Sequence, residues 1–190
     1  MLLDVGGLVE EVVALYSRSA AVRRVRVESE RKSTSLVSGF RGQLIQVFGN
    51  LIRNATEAAP PDSAITVRVR PVHRRGRSGV CVLVLDRGRG IPQSVRMKMF
   101  DPFFTTKDLK GSGLGLWVSK RIIAQHDGTI RFRSSERAGL NGTVFEVFLP
   151  TADRPAVVQL PSLRSVAEKG TSEEKSGDEE ELPLKAAKAN

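Results

Sequence analysis

An α+β fold is the expectation that these 190 residues set, and three patterns set it. Residues 43–59 and 114–126 carry apolar side chains at helical spacing. Ile65, Val67 and Val69 alternate with Thr66, Arg68 and Arg70, the signature of a half-buried strand. Val80 to Leu85 is apolar almost throughout, as a central strand should be.

Taken in order, residues 4–19 place Leu8, Val9, Val12, Val13 and Tyr16 at helical spacing. Val25 and Val27 alternate with charged residues and give a short strand signal. From Gln43 to Ala59 the apolar stripe is Leu44, Val47, Phe48, Leu51, Ala55 and Ala58, and Pro60-Pro61 ends that helix. The Gly- and Arg-rich stretch 73–79 predicts a hairpin loop between two strands. Residues 86–113, rich in Gly, Pro and polar side chains, are too long for a simple connector, and such a segment in a compact domain is usually functional. A second amphipathic helix follows with Leu114, Trp117, Val118 and Ile122 on one face. Ile130 and Phe132, then Val144 to Leu149, predict a last pair of strands around a turn at Gly139–Gly142. After Pro150 the pattern dissolves into Ser, Glu, Lys and Ala, with the acidic cluster Asp178-Glu179-Glu180-Glu181. The expectation is one domain over 1–150 and a disordered tail over 151–190.

Bulk composition narrows the function classes. The chain is 40% apolar and 27% charged, ordinary for a globular protein that needs no staples. Its single cysteine, Cys81, cannot form an internal disulfide and reads as a small buried hydrophobe, which fits a reducing cytosol. No run approaches the roughly 18 to 20 apolar residues of a membrane helix, and the first residues lack the regions of a signal peptide. Residues 151–190 hold 8 acidic and 6 basic side chains, so the net charge of +9 comes from the first 150 residues. That excess is scattered arginine without aromatic interleaving, which favours a solvated basic face meeting an acidic partner or polyphosphate over nucleic-acid binding.

Three segments carry chemistry. On the 43–59 helix, Gln46, Asn50, Asn54 and Glu57 form one polar stripe opposite the apolar one. Asparagine is a poor helix former, so two of them stacked mid-helix require either solvent or a ligand, and amide oxygens are hard ligands suited to Mg²⁺. Directly after the central strand comes Asp86-Arg87-Gly88-Arg89-Gly90-Ile91-Pro92. There a carboxylate, an acceptor only, suits an exocyclic amine such as adenine's, while an ordinary Asp-Gly turn is equally open. The third is Gly111-Ser112-Gly113-Leu114-Gly115-Leu116, running into a helix start whose free N–H groups can meet phosphate. It is not a Walker loop, since no Gly-Lys-Ser/Thr follows, and a Rossmann loop would place its glycines directly after a strand.

In their order and spacing the three segments resemble the ATP-binding domain shared by histidine kinases, gyrase-type topoisomerases, heat-shock chaperones and mismatch-repair ATPases. Gln46 to Ala55 is similar to the N box, Asp86 to Gly90 to the G1 box, and Gly111 to Leu116 to the G2 box. Asp101-Pro102-Phe103-Phe104-Thr105-Thr106-Lys107 resembles the F box of sensor histidine kinases specifically, and Gly142 to Pro150 the closing strand. The likeness covers about residues 4–150. It implies a two-layer α/β sandwich, with a mixed, mostly antiparallel sheet, helices on one face and a mobile ATP lid.

The resemblance also implies roles. Asn54 would ligate Mg²⁺ and Asn50 would lie beside the phosphates. Asp86 would bind the adenine amino group with support from Thr143, and Gly88 and Gly90 would shape that pocket. Gly111, Gly113, Leu114, Gly115 and Leu116 would close on the triphosphate, and charge alone nominates Lys107 as a further phosphate contact. The family's hydrolases carry a glutamate base four residues before the magnesium asparagine; here that position is Asn50, which cannot take a proton. Kinase chemistry, mostly positioning and charge neutralisation, is therefore favoured over hydrolysis. His73, in the expected hairpin loop, and His126, at a helix end, are the only histidines, and neither lies on the long helix that a phosphoacceptor needs. The implied partners are ATP, a separate or missing phosphoacceptor histidine domain and a response regulator, in the cytoplasm. The alternative is a stand-alone partner-switching, anti-sigma-type serine kinase or nucleotide-regulated binding module.

Overall fold

The Asp4 carboxylate accepts the Gly6 N–H at 3.1 Å and so starts the first helix, α1 (Val5–Val22). The computed structural model describes residues 1–32, 36–106 and 112–151. Before α1 lies a three-residue strand, β1 (Leu2–Asp4), antiparallel to β3 (Leu36–Ser38) in a small sheet of their own. Between α1 and β3 runs β2 (Arg26–Arg31), and after β3 comes α2 (Arg41–Ala58). The chain continues through β4 (Ala64–Arg74), β5 (Arg77–Asp86), the single-turn α3 (Gln93–Arg96), α4 (Gly115–Gln125), β6 (Thr129–Ser135) and β7 (Gly142–Pro150).

Five of these strands form one sheet in the order β2-β4-β5-β7-β6. Only β2 and β4 run parallel; the other three pairings are antiparallel, so the sheet is mixed and mostly antiparallel as expected. One face carries Ile65, Val67, Val69, Val80, Val82, Val84, Phe145, Val147 and Leu149, all buried in a single core with Val9, Val12, Leu44, Phe48, Leu51 and Ile123 from the helices. Each such side chain, fully removed from water, stabilises the fold by about 1.5–3 kcal/mol before chain entropy is counted.

Several local expectations change. The hairpin loop predicted over 73–79 is a two-residue turn: Arg74 pairs with Arg77, and Arg75 and Gly76 both have positive φ, the backbone that matches strand twist. His73 therefore sits on a strand rather than in a loop. On α4 the buried side chains are Ser119, Ile122 and Ile123, whereas Leu114, Trp117 and Val118 are half-buried, so the inward face is rotated from the predicted one. The Arg121 guanidinium instead lies over the Trp117 ring, 5.1 Å from its centroid.

Cys81 is buried, but not in the core. It pairs with Arg70 and Phe148, on the face of the sheet away from the helices, where Arg68, Arg70, Arg131 and Arg133 are exposed. Burial pushes its thiol above the ordinary value. On the same face the Arg74 guanidinium spans β5 to make two bonds to Glu146, at 2.6 and 2.7 Å. A cavity of about 610 Å³ opens there, bordered by Arg70, Arg131 and Arg133.

Candidate functional site

One helix meets both glycine segments. At its C-terminal turn, a side chain on Gly88 would collide with the Ala58 carbonyl, so only glycine lets the loop after β5 close on α2. Two turns earlier, a side chain on Gly115 would run into the Asn50 amide, which brings the start of α4 onto the same helix. The N-box-like, G1-like and G2-like segments, far apart in sequence, thus share α2 as a wall.

Asp86 ends β5 at 8% exposure, on the helix-covered side of the sheet. Its Oδ1 accepts two backbone N–H groups, from Gly88 at 2.8 Å and from Thr143 at 3.2 Å. Both bonds fall on one oxygen and leave Oδ2 for another donor. Burial raises the carboxyl above its ordinary range, and the two N–H bonds oppose that shift. Thr143, also buried, faces Asp86 across the β5–β7 ladder, and its hydroxyl lies 2.9 Å from that of Ser134. The Ser134 hydroxyl in turn accepts the Ile91 N–H at 2.8 Å. Asn141 donates to the Gly88 carbonyl at 2.8 Å, and Arg96 donates to Ile91 and Ser134 carbonyls, each at 2.9 Å. Gly90 has φ +80 and touches the Ser135 backbone, so it needs glycine on both counts. The loop after Asp86 is thereby pinned to β6 and to the entry of β7.

The amide stripe of α2 is not uniformly solvated. Gln46 and Glu57 are exposed and Asn54 is half-buried, but Asn50 is only 8% exposed beneath α4. Its Nδ2 donates to the Ser119 hydroxyl at 3.1 Å, and its Oδ1 accepts from Arg53 at 3.1 Å. Leu114 is the N-cap residue of α4, half-buried like Leu116, which packs against the core. Gly113, at φ +68, lies against the backbone of Phe103, whose own φ is +64, so the F-box-like and G2-like segments touch through main chain. Lys107 and Gly111 lie outside the described residues.

The sequence reading passed over Ser119, Ser134, Asn141 and Arg96. Only Ser119 left a signal, as a polar residue one helical turn after Gly115 on the face it shares with Ile122 and Ile123. Among the described residues no cluster of three His, Cys, Asp or Glu could hold a metal ion. Oxygen ligands on this wall would come from the Asn50 and Asn54 amides, hard donors that fit a hydrated Mg²⁺ whose charge is met by phosphate. Neither histidine is placed as an acceptor. His73 is exposed on β4, while His126 is buried with both ring nitrogens bonded, Nδ1 to the Ile122 carbonyl at 2.7 Å and Nε2 to the Phe40 N–H at 3.1 Å.

Comparison with known proteins agrees with this geometry. The family described as "Histidine kinase-, DNA gyrase B-, and HSP90-like ATPase" matches residues 39–153. Sporulation kinase C of Bacillus subtilis is 34% identical over 145 residues, covering 75% of this chain and 32% of that protein. Sensory histidine kinase/phosphatase NtrB of Azospirillum brasilense is 38% identical over 155 residues, covering 75% of this chain and 38% of that protein. The chain thus spans about a third of the length of these relatives. Among solved structures, the catalytic domain of the histidine kinase ThkA superposes with a TM-score of 0.69 at 29% identity, over 80% of this chain and 95% of that one.

Proposed function

Because the chain belongs to the histidine kinase-, DNA gyrase B- and HSP90-like ATPase family, we propose that it binds ATP with Mg²⁺ and directs the γ-phosphate to a histidine on another domain or protein. The observation that carries this reading is the convergence of Ala58 with Gly88 and of Asn50 with Gly115 on one helix, beside a buried aspartate with an uncommitted oxygen. Asp86 Oδ2 accepts the adenine amino group, Thr143 backs it, and Gly88 and Gly90 give the ring room. Asn54 ligates Mg²⁺ and Asn50 lies beside the phosphates. Mg²⁺ supplies the positive charge that draws electron density from the transferred phosphoryl group. Gly111, Gly113, Leu114, Gly115 and Leu116 meet the phosphates, with Lys107 as a further charge.

Proteins named as histidine kinases, NtrB and ThkA, favour this reading over the serine-kinase alternative. The nucleotide domain extends over 1–150, with 151–190 outside it. A phosphoacceptor histidine domain and a response regulator are the partners, and the cytoplasm, where ATP is plentiful, is the compartment. No helix among the described residues is long and apolar enough to cross a membrane.

Calorimetry of the purified chain with ATP and Mg²⁺ tests the proposal. Saturable heat with ATP but not with GTP is expected, since GTP offers a carbonyl where Asp86 needs a donor. Absence of both heat and thermal stabilisation with ATP would sink it.

A further inference from the structure

An asparagine side chain carries a donor on one arm and an acceptor on the other, in nearly the same shape. Which arm faces a ligand decides whether it can serve a cation or a phosphate oxygen. Two neighbours of Asn50 demand the same answer. The Ser119 hydroxyl donates its only proton to the Gly115 carbonyl at 2.9 Å, so its oxygen can only accept, and it takes the Asn50 Nδ2–H at 3.1 Å. The Arg53 guanidinium, which can only donate, sits 3.1 Å from Oδ1. Nδ2 is thereby turned into the seam between α2 and α4, and Oδ1 towards Arg53 and Gly115, the first residue of α4.

Serine is an uneconomical choice for position 119 unless it does something there. It is 1% exposed, next but two to the buried Ile122, and its bond back to Gly115 is of the kind that slightly weakens a helix. Alanine or valine would propagate the helix and pack the seam without a hydroxyl to satisfy.

We propose that Ser119 is a positioning residue that locks the Asn50 amide with its oxygen towards Gly115 and Arg53, so that Asn50 acts on hydrated Mg²⁺ rather than on phosphate oxygens. The inference rests on the nucleotide reading above and deepens it. A carbonyl oxygen held at the start of α4 suits a hard cation or its water, and would repel a phosphate oxygen, itself an acceptor. Arg53 can swing away when a ligand arrives because it is exposed; Ser119 cannot. The lock therefore persists in the loaded site.

The test pairs two readouts on the purified chain, for wild type, Ser119→Ala and Ser119→Thr. In nucleotide-free protein, the side-chain amide protons of Asn50 should exchange slowly in wild type and faster in Ser119→Ala by nuclear magnetic resonance. In calorimetry, the gain in ATP affinity that Mg²⁺ confers should fall about tenfold in Ser119→Ala, the scale of one lost buried hydrogen bond. Affinity for ADP without metal should stay within about twofold, and Ser119→Thr should recover most of the Mg²⁺ gain. An unchanged Asn50 amide, an intact Mg²⁺ gain, or an equal loss with and without metal would each overturn the lock. Wild-type chain that binds no nucleotide would instead sink the nucleotide reading itself.

Discussion

Asp86 and Thr143 face each other at the open end of the β5–β7 ladder, and the Thr143 N–H donates to Asp86 Oδ1 at 3.2 Å. That bond, with the one from Gly88, consumes one carboxylate oxygen and leaves the other for a ligand.

Asp86→Asn should separate recognition from folding. The asparagine oxygen can keep both N–H bonds, while an NH₂ replaces the outward acceptor and confronts the adenine amino group with another donor. A loss of about 2 kcal/mol in ATP affinity is expected. Stability should move the other way. An acid whose native pKa is raised by burial weakens the native state as pH climbs from the ordinary carboxylate value through the raised one. Removing that charge should leave the melting temperature at neutral pH unchanged or higher. A melting temperature that drops in step with affinity would make Asp86 a structural residue.

His126 braces two helices, and we expect no phosphorylation of it. It ties the end of α4 to the start of α2 by bonding Ile122 and Phe40 at once, and its ring meets that of Phe40 edge-on with centroids 6.1 Å apart. His126→Ala should cost about 2–4 kcal/mol in urea unfolding through a cavity and a stranded Phe40 N–H. γ-Labelled ATP should leave no acid-labile phosphate on this residue; label found there would contradict the bonding pattern.

Glu146 should give the sheet an acid-sensitive component. Its two bonds from Arg74 hold the carboxyl below the ordinary range, so the stabilisation is present above that range and fades as pH falls through the lowered value. Glu146→Gln should cost about 1 kcal/mol near neutral pH, the scale of a well-formed but partly solvated pair. Urea titrations at successively lower pH should show wild type and variant converging. A difference that does not shrink with acid would assign the effect to packing.

How much of this was legible in the sequence follows from which forces wrote it. α2 was readable because its apolar stripe repeats with the helix and two prolines stop it. β1 and β3 were not, since three residues such as Leu2-Leu3-Asp4 carry no period and gain their form from each other across some thirty residues. Cys81 lies in a run so uniformly apolar that its burial is legible, but no alternation shows that it sits on the arginine-bearing face. At the site, Asp86, Asn54 and the glycines were visible as residue types out of place in their elements. Ser119, Ser134 and Arg96 were not, because each acts through a partner set by the fold rather than by spacing.

The helix that carries Asn50, Asn54 and Ala58 is also a ruler. Its rise of about 1.5 Å per residue fixes the separation between the amides at its middle and the carbonyl at its end that seats Gly88. Inserting or deleting one residue between Asn50 and Ala58 would turn one contact about 100° away from the other. Descendants of this sequence can therefore exchange many side chains along α2, but the number of residues between its two contacts is not free to drift.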